Sequence, residues 1–114
     1  MFRANTDQPF DVVVNPDFLK AGKAVDDFMH PDRVVVGCED VRVQELIREI
    51  YSPFVRTGRP ILFMNQASAE ISKYATNVML ASRISVMNQL ADICTAVGAD
   101  IARVREGLAC DERI

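Results

Sequence analysis

Between Ala67 and Val97 the chain contains neither glycine nor proline, and this stretch limits its fold more than any other. Uninterrupted runs of this kind form one helix, and at about 1.5 Å per residue it reaches about 45 Å. Asn65 or Ser68 can cap its start, and Gly98 sits where a left-handed C-cap belongs. Projected at about 100° per residue, Glu70, Lys73, Asn77, Ala81, Ile84 and Asn88 share a narrow sector. Met79, Val86, Leu90 and Ile93 lie opposite, and Val78, Leu80, Met87 and Cys94 fill the flanks. A helix apolar nearly all round is buried nearly all round. A chain of 114 residues cannot cover it, so the helix packs against a second copy, or the chain is a piece of something larger; the two are compatible.

The rest of the chain is strand-rich by comparison. "FDVVVNP" (Phe10–Pro16) reads as a buried strand stopped by Asn-Pro. A polar connection follows, with a short helical turn near Lys20–Phe28. "RVVVG" (Arg33–Gly37) is a second buried strand. Asp40 then caps a helix through Tyr51, with Val43, Leu46, Ile47, Ile50 and Tyr51 as its apolar stripe. Pro53 ends it, and "PILFMN" (Pro60–Asn65) is a third strand. Strand, helix and strand in this order form a βαβ unit of a parallel sheet. Asp100 caps a last short helix, Ile101 to Glu106.

Composition narrows the function classes. A formal net charge of −3 with scattered Lys and Arg gives no basic footprint, so nucleic acid is not an expected partner. Lys73, Arg83, Asn88 and Asp92 interrupt the most apolar segment, which excludes a membrane span. The N-terminal "MFRANTDQPFD" has no apolar core and is not expected to be a signal peptide. Three widely spaced cysteines and one histidine argue against a disulfide framework or zinc site and for a reducing cytoplasm. No metal site is expected: Asp26-Asp27 reads as a solvated or helix-capping pair, His30 as a loop residue and Cys110 as an incidental small apolar residue.

Periodicity alone makes Glu70, Lys73 and Asn77 an exposed strip with a modest i, i+3 ion pair. The alternative is a reaction site, with Lys73 placing positive charge where an oxyanion develops and Asn77 holding a water or hydroxyl.

Three long motifs bear on that choice. "NPDFLKAGKAVDDFMHPDRVVVG", "SAEISKYATNVMLASRISVMNQLADICTAVGAD" and "VREGLACDERI" stand in the order and spacing of the nucleotide-sugar dehydrogenases. The chain resembles that family from Phe10 to Ile114, and "PDRVVVG" and "CDERI" resemble its UDP-glucose branch. The resemblance implies an α/β fold: the last βαβ part of a Rossmann-like parallel sheet, then a long central helix and a short helix. Residues 1–64 would be the C-terminal part of an NAD-binding domain, and 65–114 the start of a central helical dimerisation domain. It implies NAD as cofactor, UDP-glucose as substrate, oxidation of the C6 alcohol to a carboxylate in two steps, and a homodimer through Ala67–Val97.

It also implies roles for single residues. Lys73 matches the family's oxyanion-stabilising lysine and Asn77 its water-positioning asparagine. Asp17 stands where the family has a glutamate concerned with proton transfer or ordering the catalytic water. Phe18, Leu19 and Lys20 stand where its backbone contacts substrate, and Arg113 matches an arginine that reaches the other subunit's substrate. Ala21 replaces a second glutamate, at a cofactor-side position, and Glu70 is structural. The family's glycine-rich NAD fingerprint and nucleophilic cysteine are expected upstream and downstream of this segment, making it an internal fragment inactive alone. The rival expectation, prompted by Asp17 and Ala21, is a non-catalytic dimerisation module or degenerate paralogue. A related dehydrogenase acting on GDP-mannose or an amino-sugar nucleotide is the third.

Overall fold

The computed structural model describes residues 7–55 and 59–113. Its elements in chain order are α1 (Ala24–Met29), β1 (Val34–Gly37), α2 (Val41–Tyr51), β2 (Ile61–Met64), α3 (Gln66–Val97) and α4 (Ile101–Ala109). The chain divides into two compact units, one running through Ala75 and one beginning at Thr76.

In the first unit β1 and β2 pair in parallel, with Val34 opposite Ile61 and Gly37 opposite Met64, and α2 is the crossover. The fold is thus the βαβ part of a Rossmann-like sheet. Its core is set by β1, which is buried along its whole length, as expected of a parallel strand covered on both faces. Val34, Val36, Cys38 and Val43 form the buried cluster, with Ile47, Tyr51, Ile61 and Phe63 packed against it. Asp40 caps α2 as expected, its carboxylate accepting from the N–H groups of Arg42 and Val43. Of the expected stripe, Val43 is buried and Ile47 and Tyr51 half-buried, whereas Leu46 and Ile50 are exposed.

On the opposite face of β1, α3 begins very close to the strand. A Cβ at Gly37 would stand 2.7 Å from the Cα of Gln66 and 3.0 Å from the Cβ of Ala69. Ala69 is fully buried, so this contact joins strand and helix with no room for a larger residue at position 37.

The strand expected at Phe10–Pro16 does not form. Only Val14 pairs, through an isolated antiparallel bridge to Gly37, and Phe10 and Val12 are exposed. The reason lies at its end: the Asn15 side chain, not a backbone N–H, donates to the Val35 carbonyl at 2.8 Å, and Pro16 has no N–H to continue a ladder.

The second unit holds the rest of α3 together with α4. The Ala99 N–H returns to the Cys94 carbonyl at 2.9 Å around Gly98, whose φ of 73° is the left-handed value that glycine tolerates. Asp100 then caps α4 through the Ala102 N–H at 2.8 Å. The short helix runs to Ala109, past the expected Glu106. Val78, Met79, Leu80, Ile84, Val86, Ile93 and Val97 are exposed. The single chain therefore leaves α3 uncovered, which is the mismatch its sequence foretells.

Candidate active site

The loop Pro16–Lys20 has no regular secondary structure and is fixed by side chains instead. Asn15 anchors its entry: its amide donates to Val35, and its Oδ1 accepts from the Tyr51 hydroxyl on α2. Lys20 anchors its exit, donating its backbone N–H to Asp27 at 2.8 Å and pairing its ammonium with the same carboxylate at 3.2 Å. That double contact, the backbone bond foremost, holds the Asp27 carboxyl below the usual carboxylate range.

Lys73 meets this loop from α3. Its Nζ donates to the backbone carbonyl of Asp17 and stands 3.2 Å from the Asp17 carboxylate. The lysine side chain is 27% exposed and the aspartate 63%, so the cation is the more enclosed partner. The hydrogen bond from Lys73 is the main reason the Asp17 carboxyl lies below its ordinary range, and the Leu19 N–H, 3.4 Å from Oδ2, adds to it. Phe18 lies beside the pair, its ring centroid 5.4 Å from Lys73 Nζ and 4.1 Å from the Arg33 guanidinium.

Asp17, Phe18 and Lys73 are thus brought together from positions far apart in sequence. Leu19 and Lys20 continue the loop, both exposed. Ala21 is exposed in the turn that follows, with only a methyl group to offer. In the second unit Asn77 is exposed on α3. Arg113 is exposed and held by Asp111, at 2.9 Å through Nε and 2.6 Å through its terminal nitrogen. The pairing lowers the Asp111 carboxyl and raises the guanidinium.

Sequence reasoning missed Asn15, Tyr51, Arg33 and Asp27. The Asn-Pro step was visible as a turn, but nothing local signals that its amide substitutes for a strand.

Among the described residues no cluster of His, Cys, Asp and Glu could hold a metal ion, and no helix is long and apolar enough to cross a membrane. Cys38 and Cys94 are buried free thiols and Cys110 an exposed one.

A parallel βαβ layer, a side-chain-anchored loop beside a lysine and a long helix carrying exposed apolar residues suit the nucleotide-sugar dehydrogenase scaffold that the motifs resemble. Comparison with known proteins agrees. Residues 2–55 match the NAD binding domain, and residues 67–114 the central domain, of the UDP-glucose/GDP-mannose dehydrogenase family. The chain belongs to that family, whose cofactor is NAD.

It is 48% identical over 103 residues to a UDP-glucose 6-dehydrogenase of Pseudomonas aeruginosa, matching 90% of this chain and 23% of that protein. To UDP-glucose 6-dehydrogenase AglM of Haloferax volcanii it is 45% identical, over 91% of this chain and 25% of that one. Among solved structures, a UDP-glucose dehydrogenase from the hyperthermophilic archaeon Pyrobaculum islandicum superposes with a TM-score of 0.83 at 38% identity, over 90% of this chain and 23% of that one. A ternary complex of GDP-mannose dehydrogenase from Pseudomonas aeruginosa gives the same TM-score at 31% identity, over 92% of this chain and 23% of that one. The chain thus spans about a quarter of the length of these relatives.

Proposed function

We propose that this chain is the part of an NAD-dependent UDP-glucose 6-dehydrogenase that supplies substrate contacts, an oxyanion-stabilising lysine and the dimer interface. The observation that carries this is the pairing of Lys73 with Asp17, residues 56 apart in sequence and both at positions the family uses for chemistry.

Lys73 then stabilises negative charge developing on the C6 oxygen as the alcohol and then the cysteine adduct of its aldehyde are oxidised, an electrostatic role suited to a half-enclosed ammonium on a rigid helix. Asp17, whose carboxyl Lys73 holds below its ordinary range, is the group that orders the attacking water or accepts a proton in the reaction. Asn77 holds the water or hydroxyl. The backbone of Phe18, Leu19 and Lys20 binds the sugar nucleotide, and Arg113 reaches the substrate of the second subunit. The helix Ala67–Val97 is the dimer contact, covering the apolar side chains exposed in the single chain. Three free thiols suit a cytoplasmic setting. NAD receives no hydrogen bond from the methyl group of Ala21.

The test is a chimera: residues 10–113 replace the matched span of the Pseudomonas aeruginosa UDP-glucose 6-dehydrogenase, and NADH formation is followed at 340 nm. The proposal expects UDP-glucose-dependent turnover that falls at least about a hundredfold in Lys73→Ala, the scale on which losing one oxyanion donor is felt. A folded, dimeric chimera without turnover would favour the non-catalytic module, the reading that Ala21 supports. Turnover with GDP-mannose and none with UDP-glucose would move the chain to that branch.

A further inference from the structure

We infer that Arg33 is a positioning residue that sets the place of Lys73 through the ring of Phe18, an inference that rests on Lys73 being the oxyanion-stabilising lysine. The loop carrying Phe18 has no ladder of its own, whereas Arg33 immediately precedes β1, which is buried along its whole length. A guanidinium 4.1 Å from the ring centroid is well within the range of about 6 Å over which a cation is held by an aromatic face. Its planar shape stacks on the ring in a way an ammonium does not. Arg33 therefore fixes a mobile class of element, a loop side chain, to a strand.

What Phe18 controls is next to it. Lys73 Nζ is 5.4 Å from the same ring, and its two acceptors, the carbonyl and carboxylate of Asp17, belong to the preceding residue. A shift of the Phe18 backbone that accompanies loss of the ring's anchor moves Asp17 with it through one peptide unit. The ammonium is thus located by three attractions: to the carbonyl of Asp17, to its carboxylate, and to a ring that Arg33 anchors. Neither periodicity nor the family roles assign this residue.

The experiment reads the lysine itself. The intact chain is labelled with a limiting amine-acylating reagent, and the rate at Lys73 is followed by peptide mass spectrometry relative to Lys23. Variants are Arg33→Lys, which keeps the charge and loses the planar stack, Phe18→Leu, and the two combined. Circular dichroism confirms the fold of each. The expected result is Lys73 labelling faster by about two- to fivefold in Arg33→Lys, the factor one exposed cation–π contact confers. Phe18→Leu should give a similar rise, and the double variant no more than Phe18→Leu alone.

An unchanged Lys73 ratio in folded Arg33→Lys overturns the inference. So does a double variant in which the two effects multiply, since Arg33 would then act by another route. Equal acceleration at Lys23 and Lys73 also overturns it, as general loosening. Because the readout is lysine reactivity and not turnover, these outcomes are separate from the chimera assay that judges the dehydrogenase reading.

Discussion

Replacing Gly37 by alanine tests how the fold delivers Lys73 to its loop. The new Cβ would lie 2.7 Å from the Cα of Gln66, 3.0 Å from the Cβ of Ala69 and 3.1 Å from the Cβ of Val14. The first of these is backbone and cannot rotate away, and Ala69 is fully buried. Strand and helix must separate by several tenths of an ångström, and overpacking of that kind costs about 1–3 kcal/mol. Alanine regains about 0.4–1 kcal/mol by restricting the unfolded chain. The net loss of about 1–2 kcal/mol lowers the melting midpoint by about 4–8 °C at roughly 4 °C per kcal/mol. In urea the midpoint should fall with the slope unchanged. Gly107 supplies the control, because it lies inside α4 with nothing within 4 Å of its Cβ position. There the same substitution should stabilise, by about 0.5–1 kcal/mol. Gly37→Ala melting at or above the unsubstituted chain would refute the close approach of β1 and α3, and with it the account of how Lys73 is placed.

Other consequences follow from single contacts. Asp40→Ala removes the cap that serves two N–H groups of α2 and should cost about 1 kcal/mol in a denaturant titration. Tyr51→Phe deletes only the hydroxyl that donates to Asn15; it should cost about 0.5–1.5 kcal/mol, and hydrogen exchange should quicken across Asn15–Lys20 before it does in β1. The Asp17 carboxyl is held below its unfolded value by Lys73, so its contribution is present above the unfolded pKa and lost as pH falls through the folded one. The stability difference between the unsubstituted chain and Asp17→Asn should therefore shrink as pH is lowered from 6 to below 3; a difference that grows instead would contradict the pairing.

Most of the fold was legible because its signals are local. Asp40, Asp100, Asn65 and Gly98 act within a few residues of where they stand, so capping chemistry located the ends of α2, α3 and α4 to within a few positions. The valines of β1 announced a strand covered on both faces. Phe10–Pro16 carried the same β-branched signal and misled, because pairing there is decided by a side chain: Asn15 takes the hydrogen bond a strand residue would have made. The site was legible only in part for a related reason. Periodicity placed Lys73 on a polar strip but is silent on a partner 56 residues away. Family likeness named Asp17, Phe18 and Lys73, while Arg33 and Tyr51 act through geometry that no local pattern encodes.

The two departures from the family motif differ in kind. At residue 17 the charge is kept and the stem shortened by one methylene. The shorter side chain brings its carboxylate within 3.4 Å of the Leu19 N–H, a turn-forming contact that aspartate makes with backbone two residues on. Lys73 meets this by donating to the carbonyl of the same residue as well as to the carboxylate, so both acceptors are gathered on one backbone unit. The geometry turns the carboxylate back toward its own loop, onto the Leu19 N–H and Lys73. At residue 21 the polar group is gone, and no adjustment of a methyl group restores a hydrogen bond. On the proposed roles, the loss at Ala21 would be felt in the KM of the chimera for NAD, and the shortened stem of Asp17 in its kcat.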